Sequence, residues 1–289
     1  VHHVLGGIDE SKVLGLVASS GYLVAYTKGD IAWSSTLDPT DFVPSAITGA
    51  GGGKVSDIAG DILFAVPNST GFILYTIANA VAATFTGNSQ YPFKYKEITN
   101  SKGGTGVTAV AHESNAEEQY AFTKAGMQTL NSRTATTLLP EVTDMLAGKR
   151  FEDYNETTRE FEYTQISEIT EIPKHVKFIA SRYLVISYGK TSLTHALIYD
   201  TILSKLGKVR IPHVDVIEYT GEQIEISRES IAFLQADGRI KTLNFATGVP
   251  SEGLLILSKL QYVRSRMIEL HELEVENVPL EAALSVYSL

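Results

Sequence analysis

The stretch Gly21-Tyr-Leu-Val-Ala-Tyr-Thr27, followed by Lys28-Gly29-Asp30 and then by Ile31-Ala-Trp33, reads as a β-hairpin. A run of aromatic and β-branched residues stops at a Gly/Asp turn and a second run returns, the pattern of two antiparallel strands with a tight connection. The arrangement recurs four times. Asp61-Ile-Leu-Phe-Ala-Val66 passes through Pro67-Asn-Ser-Thr-Gly71 into Phe72-Ile-Leu-Tyr-Thr76, and Gln119-Tyr-Ala-Phe-Thr123 passes through Lys124-Ala-Gly126 into Met127-Gln-Thr-Leu130. Tyr183-Leu-Val-Ile-Ser187 leads through Tyr188-Gly189-Lys190 into Ala196-Leu-Ile-Tyr199, and Ser230-Ile-Ala-Phe-Leu234 through Asp237-Gly238 into Arg239-Ile-Lys-Thr-Leu243.

The turn glycines at 29, 71, 126, 189 and 238 are separated by 42, 55, 63 and 49 residues. Those intervals bracket the roughly 40 to 50 residues of a four-stranded propeller blade with room for insertions. The expectation is an all-β, β-propeller-like fold of about five or six irregular blades over residues 1–250, with a β-sandwich pair as the plainer alternative. Helical signal is scarce. Pro140-Glu-Val-Thr-Asp-Met-Leu-Ala147 places Pro at a first helical position, acids in the first turn, and Gly148 at the end, which predicts one short helix between blades. Phe151-Glu-Asp-Tyr-Asn-Glu-Thr-Thr-Arg-Glu160 reads as a solvated excursion. From Leu254 to Val278 apolar and charged residues alternate, which predicts a C-terminal β-ribbon over residues 251–289 that closes the fold, reaches a neighbouring subunit or leads into a further region.

Composition narrows the function classes. With 44% hydrophobic and 20% charged residues over 289 positions, the chain can bury a sizeable core. The absence of cysteine removes disulfide staples, thiolate nucleophiles and Cys-ligated zinc. A net charge of -9 with no Lys/Arg run argues against gripping nucleic acid and is compatible with a surface past which DNA slides. No stretch approaches the roughly 18 to 20 apolar residues of a membrane span. The terminus Val1-His2-His3-Val4 lacks an initiator Met and the order of a signal peptide, so the chain is expected to begin within a longer gene product, with Leu284–Leu289 open to the same reading at the other end.

Candidate chemistry is sparse, and neither catalytic residues, a cofactor nor a metal is expected. Gly49-Ala-Gly-Gly-Gly-Lys54 resembles a phosphate loop, but Val55 stands where Ser or Thr ligates magnesium and no helix signal follows, so a flexible surface loop is expected. His2, His3, His112, His175, His195, His213 and His271 lack ligand spacing. The best metal constellation is His195 with His213 across adjacent strands, joined by Asp200 or Asp215, with strand-end hydrogen bonding the preferred reading. Asp38 with Asp41 and Glu117 with Glu118 are the acidic pairs that glycoside hydrolysis would need, and they are also what loops commonly contain. There is no G-x-S-x-G elbow. Trp33 reads first as an anchor for a strand end and second as a sugar-stacking platform. Asp38-Pro39 starts a turn, and Asp41 and Ser45 suit local backbone hydrogen bonds.

The segment Ile31-Ala-Trp-Ser-Ser-Thr-Leu-Asp-Pro-Thr-Asp-Phe-Val-Pro-Ser-Ala-Ile-Thr-Gly-Ala-Gly51 is similar to a phrase of virion proteins in tailed bacteriophages. So are Gly71-Phe-Ile-Leu-Tyr75 with Asn79, Tyr91-Pro-Phe93, Leu139-Pro-Glu-Val-Thr-Asp144, Arg182-Tyr-Leu-Val-Ile-Ser-Tyr-Gly189, Thr194-His-Ala196 and Gly207-Lys208. Together, over roughly residues 20 to 215, they resemble the tail nozzle, or tail stabilisation, proteins of short-tailed phages. The resemblance implies a non-enzymatic β-propeller subunit of the virion tail, in a homo-oligomeric ring, usually a hexamer. That ring extends the portal–adaptor channel, meets adaptor proteins and tail fibres, and gates DNA that passes without sequence-specific binding. A different class stays open beside it: a carbohydrate-binding or glycan-cleaving propeller, motivated by the fold class, the 14 tyrosines and Trp33.

Overall fold

The computed structural model describes residues 9–112, 116–140, 151–155, 160–164, 175–189, 192–219 and 230–242. They are organised as consecutive antiparallel meanders. The first sheet joins β1 (Gly15–Ser19), β2 (Tyr22–Tyr26), β3 (Asp30–Trp33) and β4 (Gly51–Lys54) in sequence order. The second joins β5 (Ile62–Asn68), β6 (Gly71–Thr76), β7 (Ala80–Phe85) and β8 (Phe93–Glu97), and the third β9 (Val110–His112), β10 (Gln119–Thr123), β11 (Gly126–Leu130) and β12 (Ala135–Thr137). A two-stranded pair, β13 (Phe151–Asn155) with β14 (Glu160–Thr164), follows. The fourth four-stranded sheet comprises β15 (His175–Ile179), β16 (Tyr183–Tyr188), β17 (Leu193–Asp200) and β18 (Lys205–His213). β19 (Asp215–Tyr219), β20 (Ser230–Leu234) and β21 (Ile240–Thr242) make a three-stranded fifth.

The sheets stack face to face in chain order, which makes them blades of a propeller-like fold. One apolar cluster fills the seam between the first and second blades, with Val24, Ile31 and Trp33 against Phe72, Leu74 and Val81. A second fills the next seam, with Phe64, Ile73 and Tyr75 against Ala121, Leu130 and Ala135. A third joins the third blade to the fourth, with Ala111, Phe122 and Met127 against Val176, Leu184 and Ile186. The first strands also succeed one another: β1 lies against β5, β9 against β15 and β15 against β19. The third and fourth blades therefore pack directly, and the β13–β14 pair is an insertion between them in sequence only.

The pleat explains why the middle blades read as continuous apolar runs. All six residues of β6 are buried, since Phe72 and Leu74 face the first blade while Ile73 and Tyr75 face the third. β5 achieves the same division with a bulge. Ile62 pairs with Thr76 and Phe64 with Tyr75, leaving Leu63 as the extra residue. The alternation changes phase there, so Ile62 joins the first seam and Phe64 the second. Strand β7 supplies small buried residues, Ala80 opposite Tyr75, Ala82 opposite Ile73 and Ala83 opposite Phe72. Asn79 closes the β6–β7 turn and ties it to the preceding linker: Thr76 Oγ1 donates to its Oδ1 at 2.8 Å, and its Nδ2 donates to the Asp57 carbonyl at 3.0 Å.

One sequence expectation gains detail and one is corrected. Within the excursion expected at 151–160, Phe151–Asn155 form strand β13, paired with β14 from Phe151↔Thr164 to Asn155↔Glu160. The glycine run is no flexible loop, because Gly51–Lys54 is the edge strand β4, in register with β3 from Trp33↔Gly51 to Asp30↔Lys54. A Cβ on Gly51 would lie 2.8 Å from the Trp33 ring, so the missing side chains make room for the indole. The helix expected at 140–147 lies, after Pro140, outside the described residues. The chain divides into units 1–242 and 243–289; the second, with the expected ribbon from 251, is likewise outside them. Among the described residues no helix is long and apolar enough to cross a membrane.

Candidate functional site

Two places on the described chain bring polar or exposed apolar side chains together. The first is a cavity of about 340 Å³ at the inner end of the seam between the third and fourth blades. A 3-10 turn (Val107–Ala109) and β9 supply Val107, Thr108 and His112, and β15 supplies His175, Lys177 and Phe178. Asp215 of β19 pairs with two of these lining residues: its Oδ1 stands 3.4 Å from Lys177 Nζ and 3.7 Å from His175 Nε2. The buried His175 Nδ1 has no hydrogen-bond partner.

Burial holds His175 below the usual imidazole range, opposed by Asp215 and reinforced by Lys177 and His213. His213 is held down by the same cause, opposed by its contact with the Ile211 carbonyl and by Asp215. Both rings are thus neutral at pH 7 in the folded chain. An unfolded chain, with imidazoles titrating near 6.5, binds more protons in the interval below that value, so stability falls as pH drops through it. Unfolding by urea across pH 7.5 to 5 should show a declining midpoint, and the double variant His175→Gln with His213→Gln should show a flatter one. A separate acid loss is set at Asp200, whose carboxylate is held at about 2, chiefly by the Arg182 guanidinium, with Arg182 Nε at 3.0 Å. That contribution is present above the ordinary carboxylate range and is lost as pH falls toward 2.

His195 and His213 do not come together with Asp200 or Asp215. His195 lies opposite Arg210 and His213 opposite Leu193. The His195 ring stacks on Tyr188 at 5.4 Å, and its Nδ1 meets Thr194 Oγ1 at 2.9 Å. His213 meets Ser187 Oγ at 2.8 Å and the Ile211 carbonyl at 2.6 Å. Asp200 is engaged with Arg182 at the far end of β17, and Asp215 faces His175 and Lys177. Among the described residues no three His, Asp or Glu side chains converge on a point that would hold a metal. His2, His3 and His271 lie outside the described residues.

The second place is the connection from β3 to β4, residues 34–50. Its backbone is fixed by its own side chains: Asp38 Oδ1 accepts from Thr40 N at 2.9 Å, Asp41 Oδ1 from Val43 N at 3.0 Å, and Ser45 Oγ from Ile47 N at 3.2 Å. The Ser35 amide donates to the Asp41 carbonyl at 2.7 Å. Trp33 pins the far end, its Nε1 donating to the Gly49 carbonyl at 3.0 Å while the ring is only 9% exposed. Trp33 is therefore an anchor of this loop rather than an open stacking platform. Asp38 and Asp41 each cap a local turn, and Glu118 lies 3.4 Å from the Tyr120 hydroxyl. The fixed loop holds apolar side chains out to solvent, with Leu37 at 87% and Ile47 at 96% exposed.

Sequence reading located the loop and its turn chemistry but not the outward Leu37 and Ile47, because an apolar residue inside a turn-rich stretch carries no sign of its direction. It also left His112, His175 and Lys177 apart, since only the packing of β9 on β15 brings them together. No family model and no curated protein matches the chain. Among solved structures, it is similar to the N-terminal domain of Nup159 at 8% identity and a TM-score of 0.42, covering 80% of this chain and 60% of that one. It is also similar to the dihydro-heme d1 dehydrogenase NirN in complex with DHE, at 12% identity and 0.36, covering 80% and 56%. A third likeness is to the AfRom2 CNH domain, at 13% and 0.33, covering 83% of each. The chain thus spans less than two thirds of the first of these, and likeness at this level assigns no activity.

Proposed function

We propose that this protein is a non-enzymatic structural subunit of a phage tail, a nozzle component that joins a ring of like subunits, extends the portal–adaptor channel and gates DNA passage. The observation that carries the reading is the form taken by the phrase from Ile31 to Gly51. That phrase bears the resemblance to tail proteins, and it folds as a loop braced at Trp33 and Gly49 that holds Leu37 and Ile47 out to solvent. Exposed apolar side chains on a rigid loop are what a docking surface requires. Stacked blades provide the stiff body on which such a loop is held in place.

The chemistry of the rest agrees with a scaffold role. The net charge of -9 disfavours a grip on DNA passing through a channel. The glycan reading loses one of its three motivations, because the indole of Trp33 is committed to the seam of the first two blades. The test is sedimentation of the purified full chain, alone and with portal–adaptor rings, together with a search for the chain in purified virions. Assembly with the rings and presence in virions is the expected result. A chain that stays monomeric with the rings and is missing from virions contradicts it.

A further inference from the structure

We infer, resting on the ring reading above, that copies of this chain dock head to tail, the β3–β4 loop of one copy seating on the outer edge of the fourth blade of the next. Both surfaces are visible on a single chain. The loop offers Leu37 and Ile47 from a backbone already fixed by its own hydrogen bonds, so little conformational freedom remains to be lost on docking. At the other site, the turn after β17 exposes Ile202 and Leu203 at 69% and 57%, and β18 continues from it with exposed Lys205, Lys208 and Arg210. None of those three cations is in an ion pair among the described residues.

Charge selects the pairing. Residues 34–50 contain two carboxylates and no basic residue, whereas residues 202–212 contain three basic residues and no acid. Two copies with a net charge of -9 repel one another over most orientations, and the strip along β18 is where an acidic, apolar loop meets attraction instead. Lysines on an edge strand also guard against strand-to-strand aggregation. That role explains Lys205 and Lys208 but not the exposed Ile202 and Leu203 beside them. Since the two surfaces differ and sit on different blades, their contact is heterologous, which propagates from copy to copy and closes into a ring when the rotation permits.

The test uses the full chain carrying either Leu37→Lys with Ile47→Lys, or Lys205→Glu with Lys208→Glu, read by sedimentation velocity over a concentration series. All four side chains are exposed, and circular dichroism confirms that each variant folds. Each variant alone should need at least about tenfold more protein to assemble, a factor worth about 1.4 kcal/mol. An equimolar mixture should assemble like wild type, because the new lysines of one copy face the new glutamates of the other while the unaltered surfaces still pair. Variants that assemble like wild type overturn the inference and leave the ring reading standing. Loss in each variant without recovery on mixing overturns the pairing of these two surfaces. Normal self-assembly with lost binding to adaptor rings assigns the loop to the adaptor instead. A wild-type chain that never assembles, even with adaptor rings, removes the ring reading itself.

Discussion

Replacing Phe72 by alanine should lower folding stability by about 3 to 5 kcal/mol, the range for emptying a fully buried aromatic site. Phe72 is 0% exposed on the second strand of its blade and meets Phe93 edge-on, with ring centroids 5.0 Å apart. Its neighbours come from two blades, Val24, Ile31 and Trp33 on one side of the seam and Val81, Ala83 and Phe93 on the other. Because both sheets are held by their own ladders, they cannot collapse into the vacated space, and the cavity term is retained. The measurement is urea unfolding, with a lower midpoint at an unchanged slope. Leu37→Ala, on the presented loop, should stay within about 0.5 kcal/mol in the same assay. Similar losses in the two variants would mean that this seam is not the core.

Tyr75→Ala should cost a comparable amount, about 3 to 5 kcal/mol, for a different set of reasons. The side chain lies on the opposite face of the same strand, stacked on Phe64 at 4.7 Å and fully buried between the second and third blades. Its hydroxyl donates to Gln119 Oε1 at 2.8 Å, and Gln119 Nε2 donates to the Pro67 carbonyl at 2.9 Å. Burial pushes the phenol far above its usual range, so it remains a donor at every working pH. Tyr75→Phe isolates the polar part: it keeps the ring and leaves the buried Gln119 oxygen unpaired, at about 1 to 3 kcal/mol. Since Phe72 and Tyr75 face separate clusters, the double alanine variant should lose nearly the sum of the two single losses.

The hairpins were legible because a strand buried on both faces still ends at a turn. All five hairpins read from glycine and apolar runs are present, as β2–β3, β5–β6, β10–β11, β16–β17 and β20–β21. The uneven glycine spacing has a structural cause. Gly71 joins the first and second strands of its blade, whereas Gly29, Gly126, Gly189 and Gly238 belong to second-to-third connections. The equivalent connection of the second blade is Ile77-Ala78-Asn79, where Thr76 and Asn79 hydrogen-bond the turn without a glycine. The long interval from 126 to 189 contains the β13–β14 pair.

What escaped sequence reading depends on contacts distant in the chain. Glycine disfavours strands in isolation, and Gly51–Lys54 became one only because Trp33 lies across Gly51 and the β3 edge was open for pairing. The bulge at Leu63 cannot be anticipated from alternation, because it is the point at which alternation fails. Turn chemistry at Asp38, Asp41 and Ser45 could be read locally, as it rests on bonds two residues long. The outward direction of Leu37 and Ile47, and the meeting of His175 with Asp215 across two blades, could not.

The phrase Arg182-Tyr-Leu-Val-Ile-Ser-Tyr-Gly189, part of the resemblance to tail proteins, is now a buried central strand whose role is packing. The phrase from Ile31 to Gly51 differs in ending on a surface, and a surface is where a ring subunit must be specific. Electron microscopy of the purified chain mixed with candidate adaptor rings, with symmetry read from two-dimensional class averages, tests the proposed role most directly. A closed ring with a central hole wide enough for duplex DNA is the expected result; isolated compact particles under all mixing conditions would contradict the proposed role.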